Sequence, residues 1–240
     1  MSRLPAPPAD GFCARAWEHT AELQRQIVAH PFNSALTDGS LDRERFAFYI
    51  VQDSRYLVGF AQALAAAATR AQSPADAAFL AGSAQGALVE ERRLHAGYVE
   101  EFGLDESDLA GVPTSPSCLA YTSFLRASAL TEPYPVLLAA ILPCFWVYQH
   151  VGSEILAAVD DIAAHPYRRW IETYADDEFA EAVLGARELT DRAAAESDEP
   201  VRERMLAAFS RASEYEWLFW NSAWVREEWP TARWLPGSPG

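Results

Sequence analysis

The chain has 240 residues, half of them hydrophobic, with a formal net charge of −15 and a pI of about 4.7. That length suits one sizeable core, and so acidic a balance argues against a partner read through its phosphate backbone, which calls for a basic face. No lysine occurs and every basic residue other than histidine is arginine, which excludes Schiff-base chemistry, a lysine-anchored pyridoxal site and a P-loop lysine.

Residues 1–9, rich in proline and alanine, are expected to form a flexible segment, and MSRLPAPPADGF lacks the apolar core of a signal peptide. Apolar residues at helical spacing (Ala16, Leu23, Ile27) predict a first helix from Phe12 to Ala29. HPFNSALTDGS follows and reads as a turn-rich connector. Asp42 is the N-cap candidate of a long helix through Arg70. Ser73-Pro74 opens another, to about Glu101, stopped by Gly103. Asp105 to Pro116 is loop-like, and Ser117 to Leu130 reads as a helix. Tyr134 to Val159 reads as a helix that bends at Pro143, where the ring leaves the Ala139 carbonyl free. His165-Pro166 breaks the chain. Pro166 to Tyr174 is a short helix, Glu178 to Ala195 a longer one, and Val201 to Trp229 the last; residues 231–240 form an irregular tail.

No segment alternates as a strand does. No apolar run reaches membrane-spanning length, Ala61 to Ala68 being too short. The expected fold is therefore a single all-α domain over residues 10–230, of seven or eight helices, larger than a four-helix bundle. The three cysteines, Cys13, Cys118 and Cys144, have no metal-type spacing. Free thiols without an export signal point to a reducing cytoplasm.

Three places carry candidate chemistry. In LPCFWVYQHVG, Cys144 and Tyr148 form an i, i+4 pair on one helix face. The alternative is a kinked core helix with an inert buried thiol. In YIVQDSRYL, Asp53 and Tyr56 form an i, i+3 pair, and Phe60 continues the line. A carboxylate between apolar turns is costly unless paired, and it can anchor a protonatable ring nitrogen. The alternative is a surface aspartate bonded to Arg55 or Arg45. In SEYEWLFWNSAWV, Glu216 is a carboxylate among Tyr215, Trp217, Phe219, Trp220 and Trp224. Poor solvation suits it to acid–base work near neutrality, while such a helix is otherwise simply central to a core.

A metal reading has less behind it. Glu91 and His95 share a helix face, but with Glu90 and Glu100 they look like an ordinary acidic face, and Glu154 with His150 is the nearest second pair. Cys13 and Cys118 read as packing residues.

HPF, YIVQDSRYL, LHAGYVEEFG, LPCFWVYQHVG, PYRRWIETY and YEWLFWNSAW before EEW stand in this order from His30 to Trp229. Together they resemble the TenA family of thiaminase II-type enzymes, in its cysteine-type form. The resemblance implies a haem-oxygenase-like helical bundle, a homotetramer, and no metal or other cofactor. By motif, the pyrimidine-recognising aspartate falls on Asp53 and the aromatic beside it on Tyr56. The nucleophilic cysteine falls on Cys144, the acid–base glutamate on Glu216, and further pocket tyrosines on Tyr121, Tyr148 and Tyr174.

The activity it implies is hydrolysis of 4-amino-2-methylpyrimidines that carry a leaving group on the 5-methylene. The substrate is thiamin or the 5-aminomethyl pyrimidine, and the product is the hydroxymethylpyrimidine for thiamin salvage. The competing readings are a protein that binds a pyrimidine or thiamin without turnover, and a diiron oxidase on the same fold.

Overall fold

A computed structural model describes Leu4, residues 6–102 and residues 111–234, with the backbone alone for 90–102 and 233. Glu90, Glu91, His95 and Glu100, and the first half of the loop expected between Asp105 and Pro116, therefore lie outside the described side chains or residues. Among the described residues there are ten α-helices and no strand. They are α1 (Phe12–His19), α2 (Ala21–Val28), α3 (Pro31–Thr37), α4 (Arg43–Ala68) and α5 (Pro74–Phe102). Then come α6 (Pro116–Thr131), α7 (Tyr134–Ala158), α8 (Arg168–Tyr174), α9 (Asp177–Ala195) and α10 (Glu199–Val225).

The expected first helix is in fact two, because the chain bends at Thr20 (φ −101°, ψ 10°), whose hydroxyl donates to the Ala16 carbonyl at 2.9 Å. Threonine bonded back onto the preceding turn competes with helix continuation. The expected connector also holds a helix. Pro31 occupies the first turn of α3, where it has no hydrogen bond to lose, and the His30 ring nitrogen accepts from the Phe32 N–H at 3.1 Å. Phe32 and Leu36, an i, i+4 pair, are fully buried and give that helix its inner face.

Asp42 does cap α4, accepting from the Arg45 N–H at 2.9 Å. The last helix stops at Val225, short of the expected Trp229. Arg226 turns left-handed (φ 50°), and the Glu227 N–H reaches back to the Ser222 carbonyl at 2.8 Å. Trp229 instead donates to the Thr114 carbonyl at 2.8 Å.

α7 is the axis of the fold. Every residue from Val136 to Gln149 is buried, and α10, α9, α8, α6, α4, α3 and α2 all pack on it. It runs unbroken across Pro143. A helix apolar on every side has to be buried on every side. By length and composition it would also span a membrane, which corrects the expectation that no apolar stretch is long enough; 89% of its most apolar window lies inside the protein. α7 and α10 carry Cys144 and Glu216, and α4 lies against both.

Candidate active site

α4, α5, α7, α8 and α9 enclose a cavity of about 760 Å³. α4 contributes Asp53, Tyr56 and Phe60, α7 contributes Cys144, Phe145 and Tyr148, and α8 ends in it with Tyr174. The i, i+3 and i, i+4 spacings of α4 and α7 turn these side chains to the same wall. Two close helix contacts set that wall. A Cβ on Gly152 of α7 would lie 2.8 Å from the Tyr174 Cβ and 2.9 Å from its carbonyl carbon, so only glycine lets α8 deliver Tyr174 here. A Cβ on Gly59 of α4 would meet the Thr122 side chain at 2.9 Å. That contact seats α6 so that Tyr121 lies 4.7 Å from Tyr56, ring centre to ring centre.

Asp53, Tyr56, Cys144, Tyr148 and Tyr174 line the cavity, all of them buried. Tyr121 and Glu216 are placed one layer deeper. The Tyr121 hydroxyl donates to Glu216 Oε1 at 2.6 Å, and Glu216 is 0% exposed. The surface-aspartate alternative for Asp53 does not hold. Asp53 is buried, while Arg45 engages Asp42 and the Trp224 carbonyl and Arg55 reaches the Val112 carbonyl.

Burial pushes the Glu216 carboxyl up to about 8; the Tyr121 hydrogen bond works against the rise and the charge of Asp53 adds to it. Burial also raises the Cys144 thiol well above its ordinary range. The Glu216 charge adds to that rise, the Tyr56 hydroxyl opposes it, and Asp53 adds a further increment. Cys144, only 7% exposed, is thus held as a neutral thiol, not the exposed, reactive thiolate that a nucleophile suggests. Cys144, Glu216 and Asp53 share one field, so ionising any of them opposes ionising the others.

Among the described residues, three buried oxygens here have no hydrogen-bond partner: Tyr56 Oη, Tyr148 Oη and Glu216 Oε2. Buried polar groups are nearly always satisfied. The two phenols line the cavity and are offered to whatever occupies it.

The other thiols are employed differently. Cys13 Sγ donates to the Arg187 carbonyl and Cys118 Sγ to the Gln52 carbonyl, both at 3.4 Å. Neither lines the cavity. Among the described residues no group of three His, Cys, Asp or Glu side chains is placed to hold a metal ion. His150, one of the weighed candidates, lies edge-on to Trp17.

Sequence reasoning missed several members. Tyr49 is fully buried and its hydroxyl accepts from Trp170 Nε1 at 3.1 Å. It stacks on Trp220 at 5.2 Å, and burial raises its hydroxyl well above the ordinary range, with the charge of Asp53 adding to the rise. Its position four residues before Asp53, on the same helix face, was the available signal. Phe79 of α5 and Phe179 of α9, which line the cavity as Tyr49 does not, carried no comparable signal. They reach the cavity only through the packing of distant helices.

Compared with known proteins, residues 17–226 match the model of the TENA/THI-4/PQQC family. The chain is 35% identical over 210 residues to the aminopyrimidine aminohydrolase of Bacillus subtilis, covering 87% of this chain and 88% of that protein. Its fold is similar to that of a TenA homologue from P. horikoshii (TM-score 0.79, 28% identity, covering 90% of this chain and 99% of the other). It is also similar in fold to a Shewanella denitrificans domain of unknown function with a heme oxygenase-like fold. That match has a TM-score of 0.72 at 14% identity and covers 89% and 92% of the two chains.

Proposed function

This chain belongs to the TENA/THI-4/PQQC family, and from that premise we propose that it is an aminopyrimidine aminohydrolase of the thiaminase II kind. It replaces the group on the 5-methylene of a 4-amino-2-methylpyrimidine by hydroxide from water. The observation that carries the reading is the meeting of Cys144 and Asp53 in the wall of one aromatic cavity, with Glu216 behind the thiol.

The ring is a weak electrophile until one of its nitrogens is protonated or strongly hydrogen-bonded, and Asp53 supplies that bond. The tyrosines clasp its faces and edge, Tyr56 and Tyr148 having hydroxyls to spare. Cys144 Sγ then bonds ring carbon C6. The thiol proton passes to the ring nitrogen that Asp53 holds, and Glu216, which keeps its own proton up to about pH 8, serves as the acid. Electron density returned to the ring expels the leaving group; an amine takes the Glu216 proton as it goes, whereas a thiazolium leaves as the neutral thiazole. Water adds to the exposed methylene and loses a proton, the C–S bond breaks, and the aromatic ring is restored. For an aminomethyl substrate the products are the hydroxymethylpyrimidine and ammonia; for thiamin, the hydroxymethylpyrimidine, the thiazole and a proton. Covalent addition divides one hard substitution into easier steps.

The expected setting is salvage of the pyrimidine in the cytoplasm by a homotetramer. Exposed apolar side chains such as Val58, Leu119 and Val225 offer surface for a partner copy to cover. The test is product analysis by mass spectrometry after separate incubation with thiamin and with 4-amino-5-aminomethyl-2-methylpyrimidine. Formation of hydroxymethylpyrimidine from either supports the reading. Tight binding of both without any product leaves a carrier in its place.

A further inference from the structure

We propose that Asp176 and Glu178, at the outer end of the same cavity, select the leaving group by charge. They favour pyrimidines whose departing group is cationic and disfavour those whose departing group bears a phosphate. The inference rests on the hydrolase reading and names the half of the substrate that the aromatic residues do not read.

The cavity is longer than its aromatic end. Beyond Tyr148 and Tyr174 its lining continues through Ser83, Arg169, Glu172, Thr173, Asp176 and Glu178. Counting Asp53, the lining holds four carboxyl groups against one guanidinium, that of Arg169. Glu172 is partly offset by Arg168, which donates to it at 2.8 Å. Asp176 and Glu178 have no such offset among the described residues. Asp176 stands at the N-cap of α9, yet its side chain makes no capping bond. Both are exposed at the cavity's edge, with Asp177 between them.

A separate observation makes this a ligand path and not simply an acidic surface. At the inner end of the same cavity Tyr148 is 2% exposed, and its hydroxyl has no partner. A pyrimidine that supplies that partner leaves the outer end to whatever the ring carries. A cleft whose lining charges are mostly of one sign focuses its field along its length. An ammonium or a thiazolium entering it is attracted; a phosphate dianion meets uncompensated carboxylates.

The experiment compares kcat/KM for thiamin and thiamin monophosphate in the wild type and in the Asp176→Asn, Glu178→Gln double variant, with melting curves to verify folding. The wild type is expected to prefer thiamin at least tenfold, through KM more than kcat. The double variant should narrow that preference roughly fivefold or more, since it removes two charges from the cavity's edge. Salt that cuts the Debye length to about 3 Å should narrow it in the wild type too. Equal use of both substrates by the wild type, or a preference that survives both the substitutions and the salt, overturns the proposal. If neither substrate is cleaved, the hydrolase reading fails by itself. The dissociation constants of the two ligands then decide charge selection, with tighter binding of thiamin supporting it and equal binding overturning it.

Discussion

The two ends of the cavity handle charge in opposite ways. At the inner end Asp53, Cys144 and Glu216 are closed off from water, and each feels the others' ionisation. At the outer end Asp176 and Glu178 stand in solvent, where their influence is long-range, screened by salt and modest. Only desolvation moves a carboxyl as far as about 8, so proton transfer belongs to the inner end. The contrast also explains the thiols. Cys118 is raised to about 12 by burial, with Asp53 adding to it, much as Cys144 is raised. Burial alone therefore does not mark a nucleophile. Cys144 differs in its neighbours: a cavity, the Tyr56 hydroxyl and the Glu216 carboxyl.

If the inner end does the chemistry, the largest effect comes from Cys144→Ser. Turnover should fall by roughly 10³-fold or more, while affinity for the hydroxymethylpyrimidine, read by calorimetry, stays within a few-fold. Full activity in this variant refutes covalent catalysis.

Glu216→Gln comes next, with a loss of roughly 10²-fold. The loss should be greater on the aminomethyl pyrimidine, whose amine leaves poorly, than on thiamin, whose thiazolium leaves neutral. Equal losses point to a structural role. This residue also sets a pH signature. Its folded pKa of about 8 stands above the ordinary 4.5, so the folded state holds an extra proton between those values. Its contribution to stability is whole below the lower value, declines by about 1.4 kcal/mol per pH unit through the window, and is gone above the upper one. Melting curves from pH 5 to 8 should therefore fall less steeply in Glu216→Gln than in the wild type. Parallel curves contradict a buried, proton-bearing carboxyl.

Asp53→Asn should weaken both product affinity and turnover. A buried hydrogen bond to a charged group is worth on the order of 1.5–3 kcal/mol, or roughly 10- to 150-fold in Kd. Unchanged affinity in this variant removes Asp53 from ring recognition.

Gly152→Ala gives the smallest effect. The added methyl meets Tyr174 within 3 Å, so α8 must give way, at a cost to stability of about 1–3 kcal/mol. KM should rise severalfold with kcat nearly kept. An unchanged KM means that Tyr174 does not touch substrate.

Several helices were legible because their limits are chemical, as with Asp42 as a cap and Pro74 as a start. The bend at Thr20 and the helix inside HPFNSALT were not. Each depends on a single side chain bonding to nearby backbone, His30 in one case and Thr20 in the other. In the cavity wall, residues that share a helix with a recognisable motif could be read, as Tyr148 with Cys144. Phe79 and Phe179 could not, since nothing local says that α4, α5 and α9 meet around one space. Nor does the sequence reveal that Glu216 stands behind the thiol and not beside it. That placement comes from Tyr121, which occupies the layer between α6 and α10.

The central claim is hydrolysis carried by the Cys144 thiol. The most direct test runs the reaction in ¹⁸O-labelled water, with wild type and Cys144→Ser side by side, and weighs the hydroxymethylpyrimidine formed. The account predicts one ¹⁸O atom in each product molecule from the wild type and no product above the blank from the variant. Product without the label, or labelled product at the wild-type rate from Cys144→Ser, contradicts it.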